Sequence, residues 1–165
     1  MEKIEENDLT IRQATPEDVG SILGMVRELA EFEELGDEVV ATEEDFEDSL
    51  FGESPAAEAL LAERGGKAVG YAIFFSTFST FVGKAGIWLE DLYVKPDHRK
   101  GGIGKALLKA VGAIAEERGA GRYEWSVLDW NSNAIQLYRK MGGDIMDDWR
   151  IVRLDRTALK ALPGK

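Results

Sequence analysis

The chain has 165 residues, no cysteine, and 31 acidic against 20 basic side chains, for a net charge of −11. That length suits one domain whose core needs no staples, and the lack of cysteine excludes a disulfide framework, a thiolate metal site and an acyl-cysteine intermediate. The charge works against a nucleic-acid partner, since affinity for a polyanion rests on Lys and Arg neutralising phosphates. A cationic partner is easier to accommodate, although acidic surfaces also serve simply to keep soluble proteins dispersed.

Residues 1–8 are polar and acidic. They lack the apolar core of a signal peptide and the Arg-rich face of a transit peptide, and are read as a loosely held tail ahead of one domain over residues 9–165. Leu9 to Ala14 alternates as an exposed first strand would, and Thr15-Pro16-Glu17-Asp18 then supplies a cap, a first-turn proline and early acids. The helix predicted there carries Val19, Ile22, Leu23, Val26, Leu29 and Ala30 at helical spacing, followed by Glu31, Glu33 and Glu34. Thr42-Glu43-Glu44-Asp45 opens a second, shorter helix.

From Ala59 the pattern turns to strands: Ala59–Glu63, a Gly65-Gly66 turn, then Ala68–Phe75. This most apolar stretch is too short to cross a bilayer, so no membrane segment is expected, and a cysteine-free chain suits a reducing cytoplasm. Gly83–Gly86 leads into a strand over Ile87–Val94 that Pro96 closes. Gly101 and Gly102 open a long helix with Ile103, Leu107, Val111 and Ile114 on one face, ended by Gly119–Gly121. A strand over Tyr123–Leu128, a helix over Asn131–Met141 and a last strand over Trp149–Leu154 complete the order βααβββαβαβ. This is an α/β domain around a mixed, partly parallel sheet.

The segment Arg99-Lys100-Gly101-Gly102-Ile103-Gly104-Lys105 joins a strand to a helix. Such a junction aims the free N–H groups of a helix N-terminus at one point, where the helix dipole also favours an anion. The glycines allow close backbone approach, and Arg99 and Lys105 add charge. It is not a Walker A loop, because Arg99 and Ala106 stand where that loop needs Gly and Ser/Thr. It is not a Rossmann fingerprint either, because Leu107 stands at the third glycine. By itself the motif permits an anion site or a purely structural glycine turn.

The form Arg-x-x-Gly-x-Gly in this context resembles the cofactor loop of the GNAT superfamily of acetyl-coenzyme A-dependent N-acetyltransferases. Within it the chain is most similar to the spermidine/spermine (diamine) acetyltransferases and their thialysine-acetylating relatives. The segments Glu28–Glu33, Phe51-Gly52-Glu53, Leu89-Glu90-Asp91, Trp130-Asn131 with Ile135, Leu137 and Tyr138, and Trp149-Arg150 carry that likeness. The polyamine enzymes have Tyr where Phe32 stands and Ser where Ala134 stands, and differ in the loop before Leu89.

The resemblance implies a GNAT fold with helices on both faces of the sheet and a splay between the central strands. It implies acetyl-CoA as donor, a small cationic amine as acceptor and a homodimer. It implies that the pantetheine arm pairs with backbone near Leu92 and Val94, that Arg99–Lys105 wraps the diphosphate, and that Asn131 and Tyr138 face the same arm. Glu90 would draw the amine proton away through water, Tyr138 would protonate the leaving thiolate, and Glu33, Glu90 and Asp91 would bind a distal ammonium. An ammonium with a pKa near ~10.4 must lose a proton before it attacks a thioester, so a base is required. His98, the only histidine, sits in the turn beside the loop and is read as a solvated residue. No metal is expected, for want of ligands at metal-binding spacing. The implied activity is N-acetylation of a polyamine or diamine; the alternatives are a lysine-like amino acid such as thialysine as acceptor, or an acyl-CoA-binding module without turnover.

Overall fold

The computed structural model describes residues 8–164, so all of the expected tail but Asp8 lies outside the described residues. Strand β1 spans Leu9–Gln13, β2 Glu58–Arg64, β3 Lys67–Ser79, β4 Lys84–Val94 and β5 Tyr123–Trp125. They form one sheet in the order β1-β2-β3-β4-β5, antiparallel except for the parallel pair β4–β5. Gly65 and Gly66 both take positive φ, which gives the β2–β3 turn the twist a tight hairpin needs. The parallel pair requires a crossover, and helix α3, Ile103–Glu117, supplies it.

Side-chain alternation assigns the two faces of the sheet. Ala59 and Leu61 of β2 lie opposite Ile73 and Tyr71 of β3 and form one core with Ile22 and Met25 of α1, Val19–Phe32, and Leu50 of α2, Glu43–Phe51. The opposite face carries Gly70, where an added Cβ would sit 3.3 Å from Leu107 of α3. Helices therefore cover both faces, as the resemblance implied. The expected cap at Thr42 is made, its hydroxyl accepting from the Asp45 N–H at 3.2 Å, whereas at Thr15 it is the backbone N–H that donates, to the Asp18 carboxylate at 2.7 Å. Pro16–Asp18 forms a single 3₁₀ turn before α1 begins.

The described chain divides into two compact units, the first ending at Ser126 and the second beginning at Val127. The second holds α4, Ser132–Lys140, and α5, Arg156–Ala161. The strand expected over Trp149–Leu154 does not form. Those residues are irregular, with Trp149, Ile151, Val152 and Leu154 exposed. An apolar-rich run becomes a strand only where an edge satisfies its N–H and C=O groups, and the described residues of this unit contain no strand to offer one. Helix α5, capped by Asp155 accepting from the Ala158 N–H at 2.8 Å, was not expected. Among the described residues no helix is long and apolar enough to cross a membrane.

Candidate active site

The pairing of β3 with β4 changes register once: Ile73 lies opposite Asp91, and Phe74 opposite Leu89. Glu90 is thus an extra residue on β4, a β-bulge. In a regular strand Glu90 and Asp91 would point to opposite faces. Here Trp88, opposite Phe75, and Asp91, opposite Ile73, lie on the face of Tyr71 and α1, because Tyr71, Ile73 and Phe75 alternate along an unbroken β3. Trp88 Nε1 donates to Glu90 at 3.0 Å, and the Tyr71 hydroxyl donates to Asp91 at 2.8 Å. The bulge brings both carboxylates to one side of the sheet.

Glu33, the residue that ends α1, joins them. Burial raises its pKa, and the nearby charge of Asp91 raises it further. Burial is also the main cause that raises the pKa of Asp91, which Tyr71 opposes by donating to the charged form and the Glu90 charge reinforces. Among the described residues the ion pairs are Arg12 with Asp18 and Glu63, Lys95 with Glu28, and Arg118 with Glu58. None involves Glu33, Glu90 or Asp91. Neutral donors, Trp88 and Tyr71, hold Glu90 and Asp91 in this acidic cluster.

The other edge of β4 is open next to this cluster. Strand β5 pairs with Ile87, Trp88 and Leu89 and ends at Trp125, three residues short of the expected Leu128. Past the bulge, β4 has β3 on one side only. The Lys95 N–H donates to Val69 of β3 at 2.8 Å, so by the alternation of an antiparallel ladder Tyr93 also faces β3, while Leu92 and Val94 turn their backbone groups to the open edge. Leu92 and Val94 are the two positions the resemblance assigned to the pantetheine amides.

This edge runs into the glycine loop. Pro96–His98 makes one 3₁₀ turn, Lys100 adopts φ 67° and Gly102 φ 80°, and α3 starts at Ile103. The first helical bond after the loop is Ala106 N–H to Gly102 O at 2.9 Å, which leaves the N–H groups of Ile103, Gly104 and Lys105 without intrahelical acceptors. Gly104 packs against Val94, where a Cβ would stand 3.7 Å from a Val94 methyl. Arg99 turns back over β4: its Nε donates to Val94 O at 2.9 Å, and its guanidinium lies 5.1 Å from the Phe32 ring and 5.5 Å from the Tyr93 ring. Arg99 therefore ties the loop to the end of α1 that carries Glu33.

In the second unit Asn131 caps α4 by accepting from the Ala134 N–H at 3.4 Å, and Tyr138 follows seven residues on. Tyr138 is half-buried, and desolvation raises the pKa of its hydroxyl, which favours the protonated, donating form. Sequence reasoning missed Tyr71. A lone tyrosine in the apolar run Val69–Phe75 reads as an ordinary strand aromatic, and only the register shows that its hydroxyl reaches Asp91. No group of three or more histidine or acidic side chains that could hold a metal occurs among the described residues.

Known proteins share sequence and fold with this chain. The acetyltransferase (GNAT) family profile matches residues 23–143. A thialysine N-epsilon-acetyltransferase of Sus scrofa is 39% identical, over 94% of this chain and 97% of that protein. A human spermidine/spermine N(1)-acetyltransferase-like protein is 31% identical over 90% of this chain and 23% of its own length. Among solved structures, an integron cassette protein from the mobile metagenome of V. cholerae superposes with a TM-score of 0.79 at 23% identity, covering 96% of this chain and 99% of that one.

Proposed function

The chain belongs to the GNAT family of acetyltransferases, and from that premise we propose that it moves the acetyl group of acetyl-CoA directly to a primary amine of a small cationic substrate. The observation that carries this reading is the cluster of Glu33, Glu90 and Asp91, which makes no ion pair among the described residues and lies beside an open strand edge that leads to a helix N-terminus. An ammonium completes such a cluster, since like-charged carboxylates without a partner repel one another. Polyamines and diamines fit it, and so does a lysine-like amino acid such as thialysine. The name of the Sus scrofa relative favours the amino acid, that of the human one the polyamine.

Acetyl-CoA would supply the activated acyl group. The backbone groups of Leu92 and the N–H of Val94 fit the amides of its pantetheine arm, while the Val94 carbonyl accepts from Arg99. The free N–H groups at Ile103, Gly104 and Lys105, with Lys100, Gly101 and Gly102 before them, fit its diphosphate. Glu90 takes the amine proton through water, Asp91 and Glu33 hold the distal ammonium, and the Leu92 N–H stabilises the developing oxyanion. Asn131 orients the arm and Tyr138 gives its proton to the leaving thiolate. The resemblance read in the sequence extends the proposal to a homodimer, which sedimentation would test.

The deciding experiment is release of coenzyme A thiol in the presence of spermidine, putrescine, lysine or thialysine. Turnover with at least one is expected, and no release with any of them would overturn the assignment. Tyr138→Phe separates an enzyme from a binding module. Turnover should fall by about two orders of magnitude, the range of a general acid, with coenzyme A affinity unchanged. A variant that turns over like the wild type would remove Tyr138 from the mechanism.

A further inference from the structure

Tyr71 is fully buried, at 0% exposure, between two strands of the core. A buried hydroxyl costs free energy unless it is paired, and this one is paired with Asp91 Oδ2 at 2.8 Å. The pairing is unusual in kind. Elsewhere in the molecule a half-buried carboxylate such as Asp18 is held by a guanidinium, which cancels its charge. Tyr71 supplies a proton donor without a charge. Asp91 is thereby fixed at one oxygen by a donor that favours its carboxylate form, and retains the other for a ligand.

We propose that Tyr71 is a positioning residue for amine recognition: its hydroxyl locks the Asp91 carboxylate in the orientation, and in the charged form, that receives the substrate's distal ammonium. The proposal rests on the reading of Glu33, Glu90 and Asp91 as the amine site. The groups that face Asp91 are Tyr71 on β3, Glu90 and Tyr93 on β4, and Glu33 at the end of α1. Of these only Tyr71 donates to it. Burial and the Glu90 charge favour protonation of Asp91, and the tyrosine alone opposes it. A strand aromatic chosen for packing alone would serve as well without a hydroxyl, because the ring fills the same space against Tyr93, 6.2 Å away between centroids.

The test is Tyr71→Phe in the full chain, which keeps the ring and removes one oxygen. The Michaelis constant for the amine should rise about ten-fold, the size expected for loss of one hydrogen bond to a charged group. At saturating amine, kcat and the Michaelis constant for acetyl-CoA should stay within two-fold. The acid limb of kcat/KM for the amine should move to higher pH, because Asp91 loses the donor that favours its carboxylate. A carbon-13 titration of the Asp91 carboxyl should move the same way and requires no turnover. In an Asp91→Asn background Tyr71→Phe should have no further effect on the amine constant.

If Asp91→Asn weakens amine binding while Tyr71→Phe changes neither the amine constant nor the titration, the role of Tyr71 is overturned and the amine site stands. Equal losses in all kinetic constants on Tyr71→Phe would overturn it too, as a packing defect. If Asp91→Asn itself leaves amine binding at the wild-type level, the amine site and the role of Tyr71 both fall.

Discussion

Two clusters of acids in the first unit are built from the same residue types and behave in opposite ways. At the start of α1, Asp18 and Glu63 flank Arg12 at 2.7 and 2.6 Å, and the guanidinium holds the Asp18 carboxyl down at about 2. At the end of α1 and on β4, Glu33 and Asp91 make no ion pair among the described residues, and burial drives both pKa values up. A protein that provides the counter-charge has made a structural contact. One that withholds it has left a place for a cation to arrive from outside, at a cost in stability that a bound ligand recovers.

The largest effect should come from the acid nearest the chemistry. Glu90→Gln removes the proposed base but keeps the shape and the neighbour Trp88, so kcat should fall by roughly 10²-fold or more. The Michaelis constant for acetyl-CoA should be unchanged, and the alkaline plateau of the rate profile should not restore activity. A variant that retains wild-type kcat would assign Glu90 to binding alone.

Next in size, Arg12→Ala turns the first cluster into a copy of the second. A carboxyl held at about 2 rather than 3.8 contributes on the order of 2 kcal/mol at neutral pH. The sign follows from the depressed value. The unfolded chain binds the proton first, so this stability is present above pH 3.8 and is lost as pH falls toward 2. Denaturant unfolding of the variant should show a loss of that order at pH 7 which closes below pH 3. Wild-type stability at pH 7 would mean that the guanidinium adds nothing.

The smallest effect has the opposite sign. Asp91 is raised rather than lowered, so the folded chain binds its proton first, and its contribution to stability declines as pH rises from 3.8 through the raised value. Asp91→Asn should therefore increase the melting temperature by a few degrees at pH 7, as neutralising a functional-site charge commonly does, while it weakens amine binding. The gain should shrink toward pH 4. A lower melting temperature at pH 7 would mean that the Asp91 charge is stabilised by something other than the Tyr71 hydroxyl.

Much of this contrast can be read in the sequence. Thr15 and Asp18 mark a cap by spacing, and the glycine run from Gly101 marks a strand-to-helix junction, because turns and caps depend on residues adjacent in the chain. The adjacent acids Glu90 and Asp91 stand out as a pair for the same reason. Tyr71 does not, since its partner lies 20 residues away across a ladder. Neither does the end of β5, which follows from where β4 stops offering a partner edge. Trp149–Leu154 fails in the reverse direction: its aromatic and β-branched residues suggest a strand, but composition does not create an edge to pair with.

Sequence alone thus determined the α/β class, the family resemblance, the glycine loop and the identity of the acids, all of which reside in local pattern and residue type. Tertiary structure decided which side those acids face. A single unpaired residue at position 90 shifts the parity of everything after it on β4, moving Asp91 onto the side of Tyr71 and α1, and turning Leu92 and Val94 to an edge that β5 does not reach. Register is a relation between strands, and no one strand contains it.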